Sequence, residues 1–359
     1  MTGHLHLGVA LDGFGWHPEA WRHTAESEGV TSGRYWSGLA ATAERGLLDF
    51  LTIDDALTPQ RRRHPEIESR WLAGRPDAVL IASRVAPATT HIGLIPVATV
   101  THTEPFHVSK AIATLDFVSH GRAGWQVRVS GTQHEADLFG RRDLSGVDLF
   151  DEASDAVEVA RRLWDSWEDD AVIRDAATGR FIDRDKLHYI DFVGKYFSVK
   201  GPSITPRPPQ GQPVVAALAH AQPAYEFAAR SADLVFITPT DEKSLDTILN
   251  ELGDDELKVY ADVFVSFSGV TDARSDALVF DGTPTELAEL IIGWCESGIE
   301  GLRLRPSVNA TDLPVIVDEV VPILQRAGKF RQAYADGETL RHRLGLPVAE
   351  NRYRKVGRP

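Results

Sequence analysis

Short apolar runs alternate with amphipathic segments along the chain, and this rhythm restricts the fold more than any single motif. The strand-like runs lie at 5–13, 47–57, 91–100, 123–130, 213–220, 234–238, 258–267 and 301–306. Helical segments follow them at 35–46, 76–89, 105–121, 151–167, 224–232, 242–252, 283–298 and 313–328. In the clearest of these, Ala153, Ala156, Val157, Val159, Ala160, Leu163 and Trp164 recur at the three-and-four spacing of one helix face. Strands alternating with helices run parallel, because each helix returns the chain to the end where the next strand starts. Eight such units without a Gly-x-Gly-x-x-Gly turn favour a closed (β/α)8 barrel over an open doubly wound sheet. The expected class is α/β, one TIM-barrel domain over 1–359, with insertions at about 56–75, 131–150 and 171–212 and a C-terminal tail at 329–359. Within the longest insertion, the aromatic-rich stretch 188–202 reads as a hairpin turning at Val-Gly-Lys.

Charge and composition narrow the partners. A net charge of −14 disfavours nucleic acid and anionic membrane, both of which attract basic surfaces. No apolar run approaches the roughly 18 residues of a membrane span, and the start of the chain lacks a charged-then-apolar signal pattern. With one cysteine, Cys295, there is no disulfide framework or multi-cysteine metal site to build. The 13 histidines are scattered without His-Glu-x-x-His spacing, so no metal site is expected. Neither a serine nucleophile elbow nor a P-loop is present. These features set the expectation of a cytoplasmic protein that acts on small molecules.

The run 120–131, HGRAGWQVRVSG, poses a chemical question. The pleat of a strand puts Gln126, Arg128 and Ser130 on one face. An inner strand buries such groups only when they have something to bind. The outer face of a barrel strand packs on helices and tolerates arginine poorly, so the triplet is expected to point into the barrel mouth.

Several stretches in fixed order then carry a resemblance: ERGLLDFLTIDDAL, EPFHVSKAIATLDFVSHGRAGWQV, RRLWDSWEDDAV, GKYFSVKGPSITPRPPQGQPVV and the closing LPVIVDEVVPILQRAGKFR. Together they resemble the bacterial luciferase-like flavin monooxygenases, in the branch of the nitrilotriacetate, dibenzothiophene-sulfone and long-chain alkane enzymes, over about 5–353. The resemblance implies a (β/α)8 barrel holding reduced FMN at the strand C-terminal ends. Oxygen adds there at flavin C4a, and the resulting hydroperoxide oxygenates a small organic substrate. It further implies electrons delivered by a separate flavin reductase and pairing of like chains through outer helices.

The same resemblance distributes roles. Gln126 and Ser130 stand where the family places an amide and a hydroxyl toward the flavin, with Arg128 between them to neutralise a phosphate or an anionic reduced ring. Thr99 ends strand three beside the ring, and Asp55 matches an acid near the flavin. His17, His102 and His134 are the substrate-side candidates for acid or base work. The main departure follows strand five: the family's Gly-Ser-Ser phosphate grip is replaced by Ala219, His220 and Ala221. Phe150 and Leu149 likewise replace a tyrosine and an arginine. The anion must be met by His220, the amides of 221–222, Arg128 or the pair Arg141–Arg142. Two alternatives remain open at this point. One is an F420-dependent oxidoreductase, for whose longer acidic tail Arg61, Arg62 and Arg63 are available; the other is a non-catalytic flavin-binding homologue.

Overall fold

A computed structural model describes residues 5–24, 29–60, 69–253 and 256–354; the arginines at 61–63 and the end of the tail lie outside the described residues. Eight parallel strands form the barrel: β1 (His6–Leu11), β2 (Phe50–Ile53), β3 (Gly93–Thr99), β4 (Gly124–Arg128), β5 (Val214–Ala219), β6 (Leu234–Ile237), β7 (Lys258–Ser266) and β8 (Gly301–Pro306). Each strand pairs with the next, and β8 pairs with β1 to close the ring.

The outer helices are α1 (Gly33–Arg45), α2 (Ala78–Val85), α3 (Pro105–Val118), α4 (Leu149–Asp165), α5 (Gln222–Ser231), α6 (Glu242–Leu252) and α7 (Pro284–Glu296). The last, α8, is not one regular helix. Asn309–Val315 passes through a π-helical Ile316–Val320 into Val321–Arg326, with Pro314 and Pro322 removing two of the N–H donors an uninterrupted ladder needs. No helix among the described residues is long and apolar enough to cross a membrane.

The insertions carry structure of their own. Phe192–Val193 pairs antiparallel with Ser198–Val199, which is the hairpin expected at 188–202. A second hairpin, Val172–Asp175 with Arg180–Ile182, and a short helix at Gln133–Phe139 were not anticipated. The helix has a sequence signal: Thr132 and Glu135 form a reciprocal capping box, and Gly140 ends it at φ 62°. One further strand, Leu278–Asp281, lies parallel along β7 outside the barrel.

Two layers fill the barrel below its mouth. At the bottom, Phe50, Ile95, Val214, Phe236 and Tyr260 meet Leu340 and Leu344 from the C-terminal tail. Gly8 on β1 makes room for this layer, since a Cβ there would stand 2.2 Å from the Phe50 ring. The tail closes the strand N-terminal end by hydrogen bonds to residues just before the strands. Leu340 N donates to the Gly121 carbonyl (2.9 Å), Tyr334 Oη to that of Leu48 (2.6 Å) and Arg343 Nη1 to that of His91 (2.8 Å). The tail is therefore the floor of the barrel. Leu340 is fully buried, so Leu340→Ala is expected to cost about 2–5 kcal/mol, read as a lower urea midpoint with unchanged slope.

Candidate active site

The second layer is polar, and it begins where β4, β7 and β8 face one another. Arg303 on β8 makes two 2.6 Å hydrogen bonds to the carboxylate of Asp262 on β7. Its remaining edge reaches Gln126 Oε1 at 2.6 Å and Thr52 Oγ1 at 3.3 Å, and its plane lies 3.5 Å from the Phe236 ring centroid. Arg305 shares Asp262, donates to Asp276 Oδ1 at 2.6 Å, and stacks on Trp16 at 4.5 Å. Burial lowers the Arg305 pKa, but Asp262 and Asp276 outweigh it and hold the guanidinium above its ordinary range.

Above this floor the strand C-terminal ends supply the mouth. Asp12 follows β1, Asp54 follows β2, Thr99 ends β3, and Arg128 and Ser130 belong to β4 and its extension. Arg75 reaches in from the insertion after β2, pairs with Asp54 and lies 3.3 Å from Asp12 Oδ2. The other Asp54 oxygen is 3.4 Å from Arg128 Nη1. Burial raises the Asp54 pKa, and Arg75 with Arg128 more than reverse this, so the carboxyl stays charged well below its usual range. Thr99 and Ser130 hydroxyls share a 2.8 Å hydrogen bond, and Ser130 N donates to Thr101 Oγ1 at 2.9 Å.

Beside the mouth, between the starts of α2 and α3, opens a cavity of about 510 Å³. Asp55, Thr99, His102 and Arg141 give it polar points, while Leu57, Val79 and Val108 are among its apolar walls. This size and mixture are those of a small-molecule or cofactor pocket. His102 stacks on Phe139 (5.0 Å between centroids), and its Nε2 is buried without a hydrogen-bond partner among the described residues. Burial, followed by the nearby Arg142, lowers the His102 pKa, so the ring is neutral at pH 7.

The expected site residues fall into distinct places. Thr99, Arg128 and Ser130 come together at the mouth. Gln126 shares their inner face, but it is 2% exposed and its carbonyl is committed to Arg303 in the layer below. Asp55 points away from its neighbour Asp54, accepting the Ala78 N–H at 3.0 Å and lining the cavity. His17 sits on the loop after β1, where its Nδ1 accepts the Glu19 N–H at 3.1 Å; His134 is exposed on the helix after β4.

His220 has two protein partners at the start of α5. Its Nδ1 lies 2.9 Å from Thr238 Oγ1 and its Nε2 3.5 Å from Asp276 Oδ2. Burial lowers the His220 pKa, against the nearby Asp276. Ala221 is the N-cap of α5 and contributes no side-chain capping bond, which leaves backbone amides at that helix start. Arg142 is also occupied, by a bidentate pair with Glu152 at 2.7 and 2.6 Å.

The Asp55 carboxyl is pushed up to about 6 by burial, against the Ala78 N–H and Arg75 that favour its charge. The folded protein therefore holds this proton at pH values where the unfolded chain, near its ordinary 3.8, has lost it. Stability contributed by the group falls as pH rises between those values. Urea titrations from pH 4 to 7 are expected to show wild type losing stability relative to Asp55→Asn up to about pH 6, with no further change above it.

Comparison with known proteins agrees with this architecture. The family model for luciferase-like monooxygenases matches residues 15–253. N-acetyl-S-(2-succino)cysteine monooxygenase of Bacillus subtilis (strain 168) is 32% identical over 98% of this chain and 98% of its own. Nitrilotriacetate monooxygenase component A of Aminobacter aminovorans is 28% identical over 97% of each. The crystal structure of a long-chain alkane monooxygenase superposes with a TM-score of 0.83 at 25% identity, covering 96% of both chains. Solved F420-dependent proteins match in fold alone, with TM-scores of 0.61 and 0.63 at 14% and 16% identity. A closed barrel with a polar mouth and this set of relatives defines a flavin-dependent monooxygenase. The chain belongs to the luciferase-like monooxygenase family.

Proposed function

We propose that the enzyme uses reduced FMN and O2 to oxygenate a small organic molecule, with a separate flavin reductase supplying the reduced cofactor. The observation that carries this reading is the convergence of Thr99, Arg128 and Ser130 at the mouth, next to a 510 Å³ cavity. The donor set fits a flavin: two hydroxyls and a guanidinium whose side chain is 35% exposed, suited to a planar ring edge that carries negative charge when reduced. Bound reduced flavin supplies the electrons that activate dioxygen.

The residues do the rest. Arg128 neutralises charge on the ring, while Thr99 and Ser130 hold its orientation. The amides of Ala221 and Gln222 at the uncapped start of α5 are the best remaining donors for the phosphate. His102 and Asp55 line the cavity, and an imidazole and a carboxyl there can hold or pass a proton. Leu57, Val79 and Val108 keep the cavity wall dry, which protects a reactive oxygen species from water. His17 and His134 keep the substrate-side roles expected for them only if the organic substrate extends beyond this cavity.

The test is anaerobic titration with reduced FMN, followed by oxygen and a panel of small organic compounds. Saturable binding and oxygen uptake coupled to an oxygenated product are expected. Absence of reduced-flavin binding would overturn the reading.

A further inference from the structure

Arg303 stands in the layer beneath the mouth with little freedom to turn. Two 2.6 Å bonds to Asp262 hold one edge of its guanidinium, and its Cζ lies 3.5 Å from the Phe236 ring centroid. The nitrogen that remains, Nη1, donates to Gln126 Oε1 at 2.6 Å and lies 3.3 Å from Thr52 Oγ1. A guanidinium only donates, so the atom of the Gln126 amide that meets it is the oxygen. Chemistry thus decides which way the amide is turned: its Nε2 faces away from Arg303.

That nitrogen has no acceptor among the described residues, although Gln126 as a whole is only 2% exposed. It is not one of the polar atoms enclosed without a partner, so the little open surface of Gln126 includes this nitrogen. Below it the barrel is shut by Phe50, Phe236 and Tyr260. The open direction from the inner face of β4 is the mouth, where Arg128 stands one pleat further along the strand and pairs in register with Thr99. A charge-assisted bond into the amide oxygen also polarises the amide, which makes its N–H a stronger donor.

We infer that Arg303 is a positioning residue for the flavin: it turns and polarises the Gln126 amide so that an N–H, and not a carbonyl, meets an acceptor atom on the ring edge. This rests on the flavin reading proposed above. The acceptor atoms of the ring carry more negative charge when it is reduced, so a donor held there favours the reduced cofactor over the oxidised one. A glutamine left to rotate would present its carbonyl part of the time and repel the same edge. Arg303 therefore acts on the cofactor through Gln126.

Separate titrations of the full chain with oxidised and reduced FMN under nitrogen give two dissociation constants and their ratio. Gln126→Met removes the donor at nearly constant volume and leaves the Arg303–Asp262 pair in place. It is expected to weaken reduced FMN at least about tenfold more than oxidised FMN, the size of one hydrogen bond to a charged group. Arg303→Lys keeps the charge but not the fork that grips Asp262 and Gln126 together, and Asp262 keeps Arg305, so the chain still folds. Its ratio is expected to shift the same way by a smaller factor. In the double variant the Arg303→Lys shift is expected to vanish, because nothing remains for it to act through. A barrel that is merely loosened loses both affinities together at an unchanged ratio, and that result overturns the proposal. So do shifts that add in the double variant. Wild type that binds reduced FMN, with a ratio indifferent to both substitutions, removes the role of Arg303 and leaves the proposed function standing. Wild type that does not bind reduced FMN removes both.

Discussion

Asp262→Ala is expected to be the most damaging single substitution in the barrel, costing about 3–5 kcal/mol or more out of a total stability of roughly 5–15. Asp262 is fully buried and answers two guanidinium groups at once, Arg303 through two 2.6 Å bonds and Arg305 through a shared oxygen. Without it, two positive charges stay in the interior with only Gln126, Thr52 and Asp276 near them. Desolvation then works against folding, and only Arg305 keeps a carboxylate partner, Asp276. Urea denaturation reads the loss directly. The contrast that separates charge from packing is the double change Asp262→Leu with Arg303→Met, expected to recover part of the loss because it removes the Arg303 pair instead of breaking it, while Arg305 keeps Asp276. Should the single variant melt like wild type, the buried cluster is not holding the upper barrel together.

Arg128→Ala is expected to act on the cofactor instead of the fold. Asp54 keeps Arg75 when Arg128 is removed, and Arg128 is a third exposed, so stability is expected to change by less than about 1 kcal/mol. Under the proposed function its guanidinium is the cation that meets the reduced ring, and losing it is expected to weaken reduced-FMN binding by at least about tenfold. Arg128→Lys is expected to recover only part of this, since an ammonium cannot reproduce the planar fork. Anaerobic titration followed by flavin fluorescence measures both. Unchanged affinity in the alanine variant would take Arg128 out of the cofactor site.

The barrel was legible because its information is periodic. Apolar runs and three-and-four spacing recur eight times, and no single segment has to be read correctly for the count to hold. The inner face of β4 was legible for the same reason: period two forces Gln126, Arg128 and Ser130 to one side, whatever surrounds them. The same rule applied to β8 would have placed Arg303 and Arg305 inside, and Asp262 as the one acid in the apolar run of β7 was their natural partner. Which strands face each other across a closed ring is a long-range property, so no single strand's sequence carries the pairing of Asp262 with Arg303 and Arg305.

Other parts carry no local signal. That a helical turn of the tail plugs the far end of the barrel follows from closure, not from the residues 340–343 themselves. Asp54 and Asp55 differ only by the direction each side chain takes at a strand end, and the choice between mouth and cavity is made by Arg75, twenty residues on. Asp276 comes from a loop without regular pattern, yet its carboxylate stands beside His220 and pairs with Arg305. Departure from the Gly-Ser-Ser pattern marked that position as altered, but not the partner that altered it.

The central claim is that the ring of a reduced flavin lies against Thr99, Ser130 and Arg128 at the strand C-terminal ends. A crystal of the protein grown anaerobically with reduced FMN tests it most directly. Ring heteroatoms within hydrogen-bond distance of Thr99 Oγ1 or the Arg128 guanidinium are expected. A ring seated elsewhere, or full-occupancy FMN with these side chains untouched, would contradict it.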